Sequence, residues 1–278
     1  MTTIKTKSHD TTIVTSPTID TGVTLLHHIS SIQSTSNIHR IYSTNTIMST
    51  SDASIFKPAL IVVDLQEDFL PPNGSLAVTN GRDTIPIINS LLSLPFHLKV
   101  ATKDWHPSNH TSFASNHAGK QPFADFTTIT NPSNPSETYQ TRLWPPHCIQ
   151  DTLGSEFPFE LDTTKFTQTI LKGQNPDVEM YSAFYDPLKS PRCSDSGLAA
   201  HLKNEGITHV YVVGLAADYC VKCTAEDSAA EGFKTFILEE GTRAVDPKSW
   251  KTMKLGLKGV KVVSVTGEEV NQVRRFSN

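Results

Sequence analysis

Short apolar runs alternate with amphipathic segments along the chain from residue 57 onward. The runs are rich in β-branched residues and predict buried strands over 58–64, 97–103, 166–171, 209–213, 234–239 and 260–265. Apolar residues at helical spacing predict helices over 82–94, 196–204, 221–231 and 247–257. Because alternating strands and helices are typical of a parallel sheet covered on both faces, we predict an α/β domain with three α/β/α layers and a central, mostly parallel sheet over 56–278.

The first 55 residues show no lasting period of 2 or 3.6, and 23 of them are Ser or Thr. We therefore predict that residues 1–55 form a disordered extension. A mitochondrial transit peptide is an alternative, although only Lys5, Lys7 and Arg40 are basic. Another is that Met48 is the natural start. A second polar stretch, 119–141, is rich in Pro, Asn, Ser and Thr and predicts a long loop over one edge of the sheet.

These two polar stretches explain a low apolar fraction of 37% in the 278 residues. The net charge of −4 argues against a nucleic-acid partner. No apolar run reaches the roughly 18 residues of a membrane span. Four cysteines suit a reducing compartment, so we expect a cytoplasmic protein that is also nuclear, with mitochondrial or peroxisomal localisation as alternatives. The final Phe276-Ser-Asn is not a peroxisomal tripeptide.

Chemically active residues follow four of the predicted strands. Asp64 ends the first strand, Asp104 and His106 end the second, and Lys172 ends the third. Cys220 follows the fourth across a turn that contains glycine. Each alone has an ordinary explanation as a turn cap, a solvated amine or a buried thiol. Because ligands of open parallel sheets bind beyond the carboxyl ends of the strands, their convergence predicts a catalytic site there.

Cys220 stands at the predicted start of a helix, where backbone N–H groups lower a thiol pKa and can hold an oxyanion. The alternative is that Cys220 has no chemical role and is simply a small buried residue. Cys220 and Cys223 also form a C-x-x-C pair, which leaves a thiol redox protein as a hypothesis of a different class. The pair lacks the Gly-Pro filling typical of that motif, and there is no second C-x-x-C to complete a zinc site.

Asp104 and His106 lie two residues apart, and His147 follows two prolines that restrict the backbone before it. One carboxylate and two imidazoles suit an open site for zinc or another borderline divalent ion. Further candidate ligands lie nearby in the sequence: His110, His117 and Cys148.

Six motifs occur in order: Asp64-Leu-Gln-Glu-Asp-Phe69, Lys103-Asp-Trp-His-Pro107, Trp144-Pro-Pro-His-Cys148, Ile170-Leu-Lys-Gly173, Tyr181-Ser-Ala-Phe184 and Gly214-Leu-Ala-Ala-Asp-Tyr-Cys-Val221. Together they resemble the nicotinamidases of the isochorismatase-like cysteine hydrolase superfamily, especially the fungal enzymes. The resemblance covers about 57–278. It implies hydrolysis of nicotinamide to nicotinate and ammonia in NAD salvage. Another small-amide hydrolase of the superfamily is the alternative within this fold.

The resemblance also implies roles for individual residues. Asp64, Lys172 and Cys220 would form the catalytic triad, and the thiolate would attack the carboxamide carbon. Backbone N–H groups of Ala216 and Cys220 would hold the oxyanion, with a cis peptide between Leu215 and Ala216.

The metal would hold the pyridine nitrogen of the substrate. Its ligands would be Asp104, His106 and His147, and zinc is the first expectation, with iron or manganese as alternatives. Phe69 and Trp144 would flank the ring. We expect Cys223 to be dispensable and leave open whether the chain forms a homo-oligomer.

Overall fold

Every strand pairing in the central sheet is parallel, as the alternating pattern predicts. The structure is a computed structural model that describes residues 56–276. The sheet has the strand order β5-β2-β1-β6-β7-β8. Its strands are β1 (Pro58–Val63), β2 (Leu98–Asp104), β5 (Gln168–Lys172), β6 (His209–Leu215), β7 (Lys234–Arg243) and β8 (Val260–Val263). The predicted extension over 1–55 lies outside the described residues.

The central strands β1 and β6 are buried at every position, because both are apolar at nearly every position rather than at alternate ones. In β1, Leu60 and Val62 face one core cluster, while Ala59 and Ile61 face the other. The helices are α1 (Ile85–Leu92), α2 (Leu198–Asn204), α3 (Lys222–Ala230), α4 (Pro247–Met253) and α5 (Glu268–Arg274). Apolar residues of α1 and α5 pack in the first cluster, and those of α2, α3 and α4 pack in the second. The predicted three-layer fold is confirmed.

The stretch 119–141, which the sequence predicts as a long loop, contains regular structure. Part of this stretch forms an antiparallel hairpin of β3 (Phe126–Asn131) and β4 (Asn134–Arg142). Its strands are rich in threonine, whose β-branched side chain favours extended backbone but whose polarity hides the strand from a hydrophobic pattern. Helix α5 was also missed. In the described part of the chain, no helix has the length and apolar character needed to cross a membrane.

The strand order brings the chemically active residues together. Strands β5, β2, β1 and β6 are neighbours in the sheet, and their carboxyl ends lie at one edge. Lys172, Asp104, Asp64 and the segment leading to Cys220 therefore follow one another across four adjacent strands. From β1 the chain adds β2 and then β5 on one side, and after β5 it returns to add β6, β7 and β8 on the other side of β1. The order of the strands therefore reverses between β1 and β6, and open α/β sheets bind ligands at such a position.

Candidate active site

Lys172 is the central charge of the site. Its ammonium lies 2.9 Å from Asp64 Oδ2 and 2.5 Å from Asp104 Oδ1, and it donates to the carbonyl of Met180 at 3.1 Å. The Cys220 Sγ is 3.7 Å away. Lys172 is 2% exposed, so burial opposes its charge, but the two carboxylates outweigh burial and raise the pKa of Lys172. One buried cation therefore connects the predicted triad to the predicted metal ligands.

Asp64 is oriented by the strand beside it. The Thr102 hydroxyl on β2 donates to Asp64 Oδ1 at 2.6 Å and accepts from the Asp64 N–H at 3.1 Å. The Asp64 Oδ2 is paired with Lys172 but lacks a hydrogen bond of good geometry, which leaves it available to a proton. Burial and the charge of Asp104 raise the pKa of Asp64 to about 6. This carboxyl is thus suited to accept and return a proton near neutral pH.

Cys220 lies in one π-helical turn, Ala217–Val221, that connects β6 to α3. The Leu215–Ala216 peptide before it is cis, as the resemblance implies. The expected lowering of its thiol pKa is not found, because burial outweighs the nearby Lys172 and raises the pKa of Cys220. The free protein therefore holds a neutral thiol, and Asp64 is the group placed to remove its proton.

Asp104, His106 and His147 form a buried cluster whose ligand atoms all lie within 4.8 Å of one another. The second oxygen of Asp104, Oδ2, is 3.6 Å from His106 Nε2 and 4.0 Å from His147 Nε2. His106 donates through Nδ1 to the Gly173 carbonyl at 2.8 Å, and its Nε2 is buried without a hydrogen-bond partner. Such an orphaned nitrogen facing a carboxylate fits a metal ion.

The electrostatics of the cluster agree with that fit. Burial favours the neutral form of Asp104, but Lys172 and the imidazoles outweigh burial and lower the pKa of Asp104. Burial and the neighbouring His106 lower the pKa of His147 to about 4, so its ring keeps a free lone pair at neutral pH. The Asp104 carboxylate and the neutral His147 ring are in the forms that bind divalent metals. Asp104 outweighs burial and raises the pKa of His106, so a metal ion must displace a proton from that ring.

His110 lies behind the cluster rather than in it. Its ring stacks on His106 with centroids 4.1 Å apart. Both ring nitrogens have partners, since Nδ1 bonds the Ser112 hydroxyl at 2.8 Å and Nε2 bonds the Val178 carbonyl at 3.2 Å. His110 thus packs against a predicted ligand and has no nitrogen left for a metal.

Gly173 has no side chain, and the His106 ring occupies the space that a side chain at this position would take. Its φ is +66°, and a Cβ placed on it would lie 2.3 Å from His106 Cε1. We expect Gly173→Ala to displace the ring and weaken metal binding about 10- to 100-fold, measured by chelator competition. Gly206→Ala is the matched control, because Gly206 has a φ of +67° but its Cβ would meet only the tip of Lys57, 4.0 Å away. Equal losses of metal affinity in both variants would contradict this role.

A cavity lies between Cys220 and the metal-ligand cluster. Phe69 and Trp144, the two predicted ring-binding residues, both line it and are 5% and 3% exposed. Ala216, of the predicted oxyanion hole, also lines it. Its other apolar and aromatic walls were not expected from the sequence: Leu76, Tyr181, Tyr219 and Val245. Such walls suit a flat aromatic ligand.

Two residues of the first motif have positioning roles that sequence reasoning missed. The buried Gln66 side chain donates to the Asp104 carbonyl at 2.7 Å and accepts from the Asp104 N–H at 2.8 Å. Asp68 accepts from the Cys148 N–H at 2.7 Å, next to His147. The only signal was their place between Asp64 and Phe69, because contacts to distant backbone leave no pattern in the sequence.

The C-x-x-C pair offers little support for redox chemistry. All four cysteines lie in the described part of the chain and are free thiols. Burial raises the pKa of Cys223 to about 11. Reactive redox cysteines instead have lowered thiol pKa values.

Comparison with known families identifies the family to which the chain belongs. The isochorismatase domain matches residues 58–267. The chain belongs to the isochorismatase family. Within this family, a nicotinamidase of Acinetobacter baylyi is 43% identical over 188 residues, which cover 68% of the chain and 82% of the relative.

Solved structures of the family agree with the fold. A yeast nicotinamidase bound to the inhibitor nicotinaldehyde has a TM-score of 0.69 at 36% identity, covering 74% of this chain and 99% of that one. A pyrazinamidase of Pyrococcus horikoshii in complex with zinc has a TM-score of 0.56 at 33% identity, covering 75% of this chain and 99% of that one. The zinc in that relative and the Asp104, His106 and His147 cluster here support a divalent metal.

Proposed function

We propose that this isochorismatase-family protein is a nicotinamide amidohydrolase that forms nicotinate and ammonia. The proposal rests on one observation: Cys220 and two of the metal ligands, Asp104 and His147, line the same cavity. Behind it, Lys172 pairs with Asp64 and Asp104. A flat ring with a carboxamide and a ring nitrogen matches the Cys220 thiol and the metal ligands. The similar nicotinamidases support this choice of substrate.

The reaction begins with a proton transfer from the Cys220 thiol to Asp64. The resulting thiolate, 3.7 Å from the Lys172 ammonium, attacks the carboxamide carbon, and the carbonyl oxygen becomes an oxyanion. We assign the backbone N–H groups of Ala216 and Cys220 to hold this oxyanion. As the oxyanion collapses, the C–N bond breaks and Asp64 returns the proton to the leaving ammonia.

The second half uses the same acid and base. Asp64, again ionised, takes a proton from water while the water oxygen attacks the thioester carbon. The C–S bond then breaks and Asp64 returns its proton to the thiolate. The carboxylic acid product loses its own proton to solvent water and leaves as the carboxylate. Lys172 keeps its charge throughout, because its two carboxylate partners stabilise the ammonium form.

The metal has a positioning role in this proposal. Asp104, His106 and His147 would hold it, and when bound it supplies a Lewis acid that fixes the pyridine nitrogen. We propose zinc, with iron or manganese as alternatives, because one carboxylate and two imidazoles suit borderline divalent ions. Phe69 and Trp144 would hold the faces of the ring.

The pH dependence follows from Asp64. Since its carboxylate form is the base and burial raises its pKa to about 6, we expect kcat/KM to rise with pH through about 6 and then level off. Below that pH the rate should fall about tenfold per unit, because one proton inactivates the base. A stopped assay of kcat/KM from pH 4.5 to 8 measures this. A flat profile across that range would contradict Asp64 as the base.

The function is tested by ammonia release from nicotinamide, pyrazinamide and aliphatic amides, each with and without chelator. We expect turnover of both ring amides and a loss of nicotinamide turnover after metal removal. An activated amide without a ring nitrogen should be spared by the chelator. No ammonia from nicotinamide would overturn the proposal, and chelator-resistant hydrolysis of aliphatic amides alone would favour another small-amide hydrolase.

We also propose that the protein acts in NAD salvage in the cytoplasm, with a nuclear fraction. Four free thiols in the described part of the chain support a reducing compartment. Imaging of the tagged full chain tests the location. Light scattering tests whether it is a homo-oligomer.

A further inference from the structure

A second cavity adjoins the one that holds Cys220. Trp144, Tyr219 and Val245 line both cavities, so they form a shared wall. We call this second cavity the vestibule. Its further walls include Phe123, Arg142 and Ser249.

The vestibule contains one cation with no acid partner. Arg142, the last residue of β4, makes no ion pair with any of residues 56–276. Its guanidinium donates to the carbonyl of Phe123 and lies over the Phe126 ring, 4.8 Å from the centroid. These contacts hold the side chain at the vestibule without an ion pair to a carboxylate.

The two acids of the vestibule are occupied by donors of their own. Asp218 accepts from the N–H groups of Val245 at 2.9 Å and Asp246 at 2.8 Å. Asp246 caps α4 and accepts from Lys248 N–H and from both the N–H and the hydroxyl of Ser249. These hydrogen bonds occupy the carboxylate oxygens but leave both acids charged. Arg142 is the one cation among the residues that line the vestibule, and neither acid forms an ion pair with it.

Amide hydrolysis converts a neutral substrate into a charged product. A neutral carboxamide enters, whereas the product is a carboxylate at neutral pH, so the product has a charge that the substrate lacks. We propose that the vestibule is a binding site for the carboxylate of the aromatic acid product, with Arg142 as its cationic contact. This rests on the proposed function, and it gives the β3–β4 hairpin a role in product release.

The test compares acid and amide binding in the absence of turnover. In a Cys220→Ala background, calorimetry gives dissociation constants for nicotinate and nicotinamide with Arg142 or with Arg142→Met. We expect the substitution to weaken nicotinate about five- to tenfold more than nicotinamide, as the loss of one charged contact would. Arg142→Lys should restore part of the preference, and added salt should weaken nicotinate binding in the parent more than in Arg142→Met.

Arg192→Met is the matched control. Arg192 also lies over an aromatic ring, 3.4 Å from the centroid of Tyr185, but it does not line the vestibule. An equal loss of nicotinate and nicotinamide affinity would overturn the proposal by showing that Arg142 only supports the fold, and so would no loss of either. Failure of the proposed function has a different signature, which is the absence of ammonia release by the parent protein.

Discussion

We expect Cys220→Ala to lower the turnover of nicotinamide by at least about 10⁴-fold, because Cys220 is the group that forms the acyl intermediate. Removing one sulfur from a site that is 6% exposed leaves the packing of β6 and α3 nearly unchanged. We therefore expect a folded protein with unchanged metal content. Single-turnover ammonia release and metal analysis on the same sample measure both quantities.

Cys223→Ala is the control for this experiment. Cys223 lies three residues further along, does not line the active-site cavity, and has a pKa of about 11 because of burial. We expect its substitution to leave turnover within about twofold of the parent, as is usual for a residue outside the reacting groups. If both variants lost activity together, a C-x-x-C redox pair would become the better explanation.

Lys172→Met has the second large effect, and it acts on stability as well as on rate. The substitution leaves the buried Asp64 and Asp104 carboxylates, 0% and 4% exposed, without their shared counter-charge. Breaking a buried charge network in this way costs about 3–5 kcal/mol of unfolding free energy. We also expect kcat to fall by at least about 10²-fold, since the thiolate loses its neighbouring cation. Urea unfolding at pH 7.5 and steady-state kinetics measure the two losses.

The pH dependence of this loss identifies its cause. Without Lys172, one carboxyl of the pair must bind a proton in the folded protein, so its folded pKa lies above its unfolded value. The variant therefore recovers stability as pH falls and loses it as pH rises, and the deficit at pH 5.5 should be smaller than at pH 7.5. A deficit independent of pH would show that lost packing, rather than uncompensated charge, is responsible.

Lys254→Met is the matched control for Lys172→Met. Lys254 pairs with Glu239 at the surface, where the two side chains are 24% and 51% exposed. Solvent screens such a pair, so its loss should cost less than about 1 kcal/mol of unfolding free energy. A comparable cost in both variants would contradict the central role of the buried network.

Sequence reasoning was most successful where local chemistry repeats. The β-branched run of β1 is buried on both faces, so it predicts a parallel strand without knowledge of its neighbours. The same reasoning missed the hairpin, because the threonines of β3 favour an extended backbone but do not produce an apolar pattern. Strand ends were also shifted: β7 continues to Arg243, beyond the predicted end at 239.

The sequence by itself determined the strand order in the chain and hence the residues that follow each strand, including Asp64, Lys172 and Cys220. Polar residues at the ends of apolar runs are local features, so they can be found without a structure. Only the tertiary structure decided that Lys172 bonds two carboxylates, that His110 has no nitrogen free for a metal, and that Arg142 faces the vestibule. Each of these depends on distances between residues far apart in the chain, and the packing of the sheet and the hairpin sets those distances.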